Sequence, residues 1–274
     1  MLAENEFSPE ELRGDADALW LARVPAFQGV LAAFTTRETL GRGAAASFRG
    51  AVPDAEGRIP EEFIARVCAT VGFSYGRLAT CRQVHGATVC RVDVAERRWF
   101  DRCDGLATDL PEAPLAVFTA DCVPVVLWAP AARALALLHA GWRGTLAKIV
   151  AAGVATLRDG WGVAPAEVSV FLGPAVGPCC YTVGDDVARE AEAAFGRRAA
   201  QVLPERDGAR RLDLHRANEL AAQEVGVPAT NIYRVSACTA CDAALFASRR
   251  RDGERAGRMV ALASVATAPP PSHG

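Results

Sequence analysis

Phe63, Ile64, Val67, Cys68 and Val71 recur at helical spacing within PEEFIARVCATV, an apolar stripe that predicts an amphipathic helix over 60–71. Cys68 is therefore expected to pack in the core. From Cys81 onward the period shortens, and β-like runs follow one another closely: CRQVHGATVCRVD at 81–93, LAVFTAD at 115–121, CVPVVLWA at 122–129, ALALLHA at 134–140 and VSVFLG at 168–173. These read as strands of one mixed sheet system. Between the last two runs, Leu146, Ile149, Val150, Val154 and Leu157 keep helical spacing and the segment stops at a glycine. Two further helices are predicted, from Asp185 to Phe195 and from Asp213 to Gly226. VLAAFTTR at 30–37 reads as a strand leading into a mobile Gly/Ala-rich loop, while NIYRVSAC at 231–238 and MVALASVA at 259–266 read as late strands. Ser8-Pro9-Glu10-Glu11 has the spacing of a capping box with proline at the first helical position, so a short helix opens near residue 9.

No break in composition marks a linker. The expected organisation is one domain over 30–265, an N-terminal extension over 1–29 that carries the short helix, and a disordered tail over 266–274. With 274 residues, 51% of them apolar and 23% charged, the chain can bury a sizeable core and is neither disordered nor collagen-like. Thirty basic against 32 acidic side chains leave a formal charge of -2, so neither nucleic acid nor an anionic membrane is an expected partner. The N-terminus shows no basic n-region before an apolar h-region, and the longest apolar stretch, Cys122 to Ala132, falls far short of the ~18 residues of a membrane span. A cytoplasmic location is expected. There the nine cysteines read as thiols, ligands or nucleophiles rather than as a disulfide scaffold.

Cys122 and His139 lie in consecutive strand-like runs joined through Ala129-Pro130-Ala131-Ala132. Pro130 suits a type I turn in a four-residue hairpin loop, and if Trp128 then faces Arg133, antiparallel pairing sets Cys122 opposite His139 on one face. Their Cβ atoms would be ~4.5–5.5 Å apart, close enough for a shared metal or a hydrogen-bonded thiol and imidazole. A buried cysteine beside a core histidine is the plainer alternative. Ala-Gly-Trp-Arg-Gly follows His139, a turn that lets backbone approach a ligand and brings Arg143 to the mouth, and Asp121 precedes Cys122. His85, in QVHG at 83–86, completes a His₂Cys set, a composition of catalytic zinc sites whose three protein ligands leave one position open. Cys238 and Cys241 have Cys-x₂-Cys spacing without an evident second ligand pair, and adjacent Cys179 and Cys180 rarely close a strain-free disulfide. All four read as packing or incidental thiols. Arg249, Arg250, Arg251, Arg255 and Arg258 read as a solvated face with the chemistry to bind phosphate, His215 as a helix-surface residue and His273 as part of the tail.

QVHG at 83–86, DGLATD at 104–109, TADCVPVVLW at 119–128, HAGWRGT at 139–145, LGPAVGPCCYTVGDDV at 172–187 and RRDGERAGRM at 250–259 resemble the YfiH, or laccase-domain, family. It is also called the multicopper polyphenol oxidase or peptidoglycan editing factor family. The resemblance runs from about Phe34 to Val260. It implies an α/β (α+β) fold, a single-domain sandwich of mixed β-sheets flanked by helices, similar to the cytotoxic necrotizing factor deamidases, which use a Cys/His pair. It also implies zinc at His85, Cys122 and His139, with copper the older assignment, and a catalytic role for Arg37 of FTTR beside Cys122 and His139. Arg143 and Arg250 become candidate substrate contacts. The implied activity is that of a zinc-dependent purine nucleoside phosphorylase using phosphate and adenosine, inosine, guanosine or methylthioadenosine, with adenosine deaminase activity. Three positions depart from the family pattern: Arg49 stands in SFRG where asparagine is common, Thr182 replaces a carboxylate and Arg249 a tyrosine.

Other readings stay open on the sequence. Cys122 with His139 as base would make a metal-free hydrolase or amidase acting on a peptidoglycan precursor. A copper-dependent polyphenol oxidase would use the same donors, although one His₂Cys set is not a multicopper complement. A zinc-stabilised interaction module would bind metal without turnover.

Overall fold

The computed structural model describes residues 5–14, 18–21, 24–37 and 59–267. Arg49, the Gly/Ala-rich loop, and His273 with most of the expected tail lie outside the described residues. In chain order the strands are β1 (Glu6–Phe7), β2 (Leu19–Trp20), β3 (Val30–Phe34), β4 (Ala79–Cys81), β5 (Val89–Arg91), β6 (Arg98–Phe100), β7 (Gly105–Thr108), β8 (Leu115–Thr119), β9 (Val123–Ala129), β10 (Ala134–Ala140), β11 (Ser169–Leu172), β12 (Glu205–Arg206), β13 (Ala209–Arg210), β14 (Ile232–Val235) and β15 (Met259–Val265). The helices are α1 (Pro9–Leu12), α2 (Glu61–Val71), α3 (Trp142–Leu146), α4 (Ile149–Trp161), α5 (Asp185–Phe195), α6 (Ala199–Val202), α7 (Leu214–Glu224) and α8 (Arg249–Asp252).

The strands form a seven-stranded sheet ordered β1-β14-β11-β9-β10-β7-β5 and a six-stranded sheet ordered β2-β3-β15-β8-β4-β6, both mixed, with β12 and β13 as a separate hairpin. Between them lies one core, where Val126, Trp128, Leu137 and Phe171 of one sheet meet Val30, Phe34, Val117 and Ala261 of the other. Val125, Leu127, Ala136 and Leu138 alternate to the opposite face and pack with Val150, Val154 and Leu157 of α4 and Leu220 of α7. Burial on both faces explains why β9 and β10 read as unbroken apolar runs. Outside the six-stranded sheet, the α2 stripe of Phe63, Ile64, Val67, Cys68 and Val71 packs on Ala116, Phe118, Val260 and Leu262. The result is the expected sandwich of mixed sheets flanked by helices, in the layer order helices, sheet, sheet, helix. The extension is built into both sheets, since β1 pairs with β14 and β2 with β3.

Local signals are realised where their chemistry is local. Ser8 caps α1 with its box to Glu11 complete, Asp213 caps α7 through Arg216 N at 2.9 Å, and Gly72 and Gly162 end α2 and α4 in the left-handed conformation. The helical run after His139 divides into α3 and α4 at Lys148, whose φ is 62°. His215 corrects the expectation of a surface residue: it is buried on α7, its Nε2 lies 2.8 Å from the Gly173 carbonyl, and burial lowers its pKa.

The β9–β10 hairpin also differs from expectation. Its loop is Pro130–Arg133 rather than 129–132, because Arg133 turns left-handed (φ 49°) and joins the loop, so Leu135 rather than Arg133 faces Trp128. His139 thereby pairs with Pro124 and not Cys122. The shift is two residues, which preserves facing, so Cys122 and His139 still meet on one side. From β4 to β9 the chain alternates between the two sheets at every step, and the links after β4 and β8 carry His85 and Cys122. No helix among the described residues is long and apolar enough to cross a membrane.

Candidate metal centre and active site

Asp104, fully buried just before β7, organises the site from beneath. Its carboxylate accepts backbone N–H bonds from Val84, His85 and Gly86 at 3.1, 2.8 and 2.7 Å. These hold His85 at φ 61°, a backbone region that histidine seldom enters unaided. Oδ1 of the same carboxylate lies 2.9 Å from Nδ1 of His139, which is 2% exposed. An Nδ1–H donated to Asp104 leaves Nε2 free as a ligand and makes the imidazole more basic. Sequence reasoning placed Asp104 inside a motif but gave it no role.

His85, Cys122 and His139 offer three ligand atoms that all lie within 4.8 Å of one another. The two histidine rings meet edge to face with 4.9 Å between centroids. Around one tetrahedral zinc such atoms sit about 3.3–3.8 Å apart, a spacing that falls within the span these three donors share. The glycines of HAGWRG make room for it. A Cβ on Gly141 would come 2.9 Å from Cδ2 of His85 and 3.1 Å from Sγ of Cys122, and one on Gly144 would come 2.6 Å from the Gly86 carbonyl oxygen. Helix α3 can therefore start directly against the ligand loop.

Charge within the cluster follows from its burial and its neighbours. Burial pushes the Cys122 thiol up, but the His139 and His85 imidazoles outweigh it and bring the thiol down to about 6. Burial lowers His139, and the Cys122 thiolate and Asp104 carboxylate overcome it, raising the imidazole to about 9. Each group of the pair thus favours the charged form of the other. Desolvation likewise opposes ionisation of Asp104, while His139 and the backbone N–H groups keep its carboxyl below the usual range.

Two cavities, of about 570 and 490 Å³, open on either side and share His85, Ala120, Cys122 and Arg249. The first is lined also by Trp142, Arg143, Tyr181 and Arg250, the second by His139 and Arg258. Arg143 stacks its guanidinium 4.1 Å over the Trp142 ring. Arg250 is partly committed to the wall, donating from Nε to the Cys180 carbonyl at 3.1 Å and from Nη2 to the Thr182 carbonyl at 2.9 Å. Arg258 departs from the solvated face expected of it: it is half-buried, and burial and the charge of Arg249 lower its pKa. Its Nη1 donates to the Ala256 and Gly257 carbonyls, and among the described residues no carboxylate pairs with it. Arg37 lines neither cavity; its Nη1 donates to the Ala243 carbonyl and its backbone N–H to that of Leu245. Asp121, at φ 89°, is a bracket: Oδ1 accepts from Thr239 Oγ1 and Oδ2 from the Arg250 N–H, both at 2.6 Å.

The family model described as multi-copper polyphenol oxidoreductase laccase matches residues 32–266. A protein named purine nucleoside phosphorylase YlmD, from Geobacillus stearothermophilus, is 38% identical over 208 residues, 72% of this chain and 75% of that one. One named adenosine deaminase, from an unknown prokaryotic organism, is 34% identical over 69% of this chain and 75% of its own length. The crystal structure of YlmD from Geobacillus stearothermophilus superposes with a TM-score of 0.79 at 34% identity, covering 91% of this chain and 96% of that one. Fold, site and similarity agree, and the chain belongs to the YfiH, or multi-copper polyphenol oxidoreductase laccase, family.

Proposed function

We propose that the chain is a zinc-dependent purine nucleoside phosphorylase for adenosine, inosine, guanosine and methylthioadenosine that also deaminates adenosine. The observation that carries this reading is the convergence of His85, Cys122 and His139 where two arginine-lined cavities meet. The names of the relatives point the same way. Zinc held by the three side chains supplies Lewis acidity at neutral pH. Phosphate requires guanidinium donors, which Arg249 and Arg258 provide beside the ligands. A purine requires a flat apolar surface, and Trp142 and Tyr181 line the larger cavity with Arg143 and Arg250 at its edge. In phosphorolysis an oxygen of dihydrogen phosphate bonds to the anomeric carbon, the glycosidic C–N bond breaks, and the proton that phosphate gives up goes to the leaving purine nitrogen. The arginines align the two reactants for that step. Arg37 acts from behind, bracing the segment that leads to Arg249 and Arg250. All nine cysteines are free thiols, which suits work in a reducing cytoplasm.

The test is a nucleoside panel on metal-analysed protein, with products separated chromatographically. Free base and ribose 1-phosphate should appear only with phosphate, inosine should appear from adenosine without it, and Cys122→Ala should abolish both. Zinc-loaded protein that leaves every nucleoside intact would overturn the proposal.

A second reading rests on one observation, the line Cys122, His139, Asp104, which resembles a nucleophile, base and orienting acid. That enzyme would be a metal-free hydrolase or amidase. Metal analysis separates the two: Cys122 in a zinc-loaded protein resists alkylation, whereas a metal-free nucleophile is alkylated and inactivated. The same measurement distinguishes zinc from copper, which the donor set and family description also suit.

A further inference from the structure

The sequence offered Cys238 and Cys241 without partners for a metal. The fold supplies them. Cys179 and Cys180, in the turn after β11, lie against the turn after β14, where Ala175 bridges to Cys238 and the Thr239 N–H bonds the Ala175 carbonyl at 3.0 Å. The four Sγ atoms all lie within 4.8 Å of one another, with Cys180 Sγ 3.4 Å and Cys179 Sγ 3.6 Å from Cys241 Sγ. Thiolates around one tetrahedral zinc, with Zn–S near 2.3 Å, are separated by about 3.8 Å. These separations are too long for disulfides, and all nine cysteines are free. A two-iron cluster would spread its four thiolates over two metal centres, whereas this set surrounds one point.

We propose that Cys179, Cys180, Cys238 and Cys241 form a second metal site, a tetrathiolate that holds one zinc ion. Its surroundings suit a negatively charged complex. The Gly177 N–H donates to Cys238 Sγ at 3.2 Å, and the carbonyls of the four-cysteine loops are gripped by guanidinium groups: Arg211 at Cys179, Arg250 at Cys180, Arg251 at Thr239 and Ala240. Four thiols give up their protons to solvent when the ion binds, and the complex carries two net negative charges beside those three arginines.

The site would act as a staple. It ties the loop carrying Tyr181 to the loop carrying Thr239, and both reach the first centre, through Arg250 to the Cys180 carbonyl and through Thr239 to Asp121 beside Cys122. Because Cys241 is exposed, an empty cluster would leave its thiol open to alkylation.

The experiment uses the full chain, purified with reductant and dialysed against zinc. Metal analysis should find two zinc equivalents per chain, one after Cys241→Ser, one after His85→Ala and none in the double variant. The cobalt form of His85→Ala should show intense thiolate-to-cobalt absorption that disappears when Cys241→Ser is added. A measurement on unaltered protein guards against a variant that fails to fold: Cys241 should resist iodoacetamide until a chelator is added. A single zinc equivalent unaffected by Cys241→Ser would overturn the site, as would equal alkylation with and without chelator, or a disulfide among these four cysteines in freshly prepared protein.

Discussion

Nδ1 of His139 and Oδ1 of Asp104 lie 2.9 Å apart, and both side chains are removed from solvent. The contact fixes which imidazole nitrogen can face a metal. Asp104→Asn keeps the volume but loses the charge that holds the Nδ1–H, and zinc affinity should fall about 10- to 100-fold in chelator competition. Unchanged affinity would show that the tautomer is set elsewhere.

In the metal-free protein Cys122 should ionise well below the buried thiols. Its thiol lies at about 6, whereas burial pushes Cys68 to about 11 and Cys90 to about 12. Iodoacetamide reactivity at Cys122 should rise with a midpoint near pH 6, and His139→Asn should move the midpoint upward because only His85 then opposes burial. The linkage has a definite sign on each flank. The lowered thiol stabilises the fold above its unfolded value, and that stability is lost as pH falls through about 6; the raised His139 stabilises below its ordinary value, and that is lost as pH rises through about 9. Denaturation midpoints of metal-free protein should therefore be highest between these limits.

Gly144→Ala puts a methyl group 2.6 Å from the Gly86 carbonyl, a backbone atom with no rotamer to change. Helix α3 or the QVHG loop must move, at a cost of about 1–3 kcal/mol. Since His85 rides on that loop, urea unfolding should show the loss of stability and chelator competition a loss of zinc affinity.

Arg258 separates the two proposed reactions, because phosphorolysis needs phosphate and deamination does not. Loss of one charged hydrogen-bonding group costs about 1.5–3 kcal/mol, so Arg258→Gln should raise the KM for phosphate roughly 10- to 150-fold. The KM for adenosine in deamination should stay near that of the parent protein. Equal losses in both would assign Arg258 to structure.

The sequence disclosed whatever depends on neighbours along the chain. The stripe of α2, the spans of α5 and α7, the Ser8 cap and the apolar runs of β9 and β10 are local patterns, and each occurs where its residues predicted. The ligand trio emerged because Cys122 and His139 lie in consecutive strand-like runs and His85, between two β-like halves, completed a His₂Cys set. Arg133 hid the register, since a left-handed arginine has no compositional mark. Asp104, Arg258 and the pairing of Cys179 with Cys241 depend on contacts between distant segments, and so does the division of the strands into two sheets. Spacing carries no trace of these.

The alternation of β4 to β9 between the sheets gives the centre a place in assembly. His85 and Cys122 ride on links that pass from one sheet to the other, while His139 lies near the end of β10 in the seven-stranded sheet. Neither sheet contains the trio by itself. A metal ion captured there would report that the two layers have docked in register, and would then oppose their parting by mass action. Metal loading would thus follow the docking of the two sheets, and an unpaired sheet would hold no complete donor set.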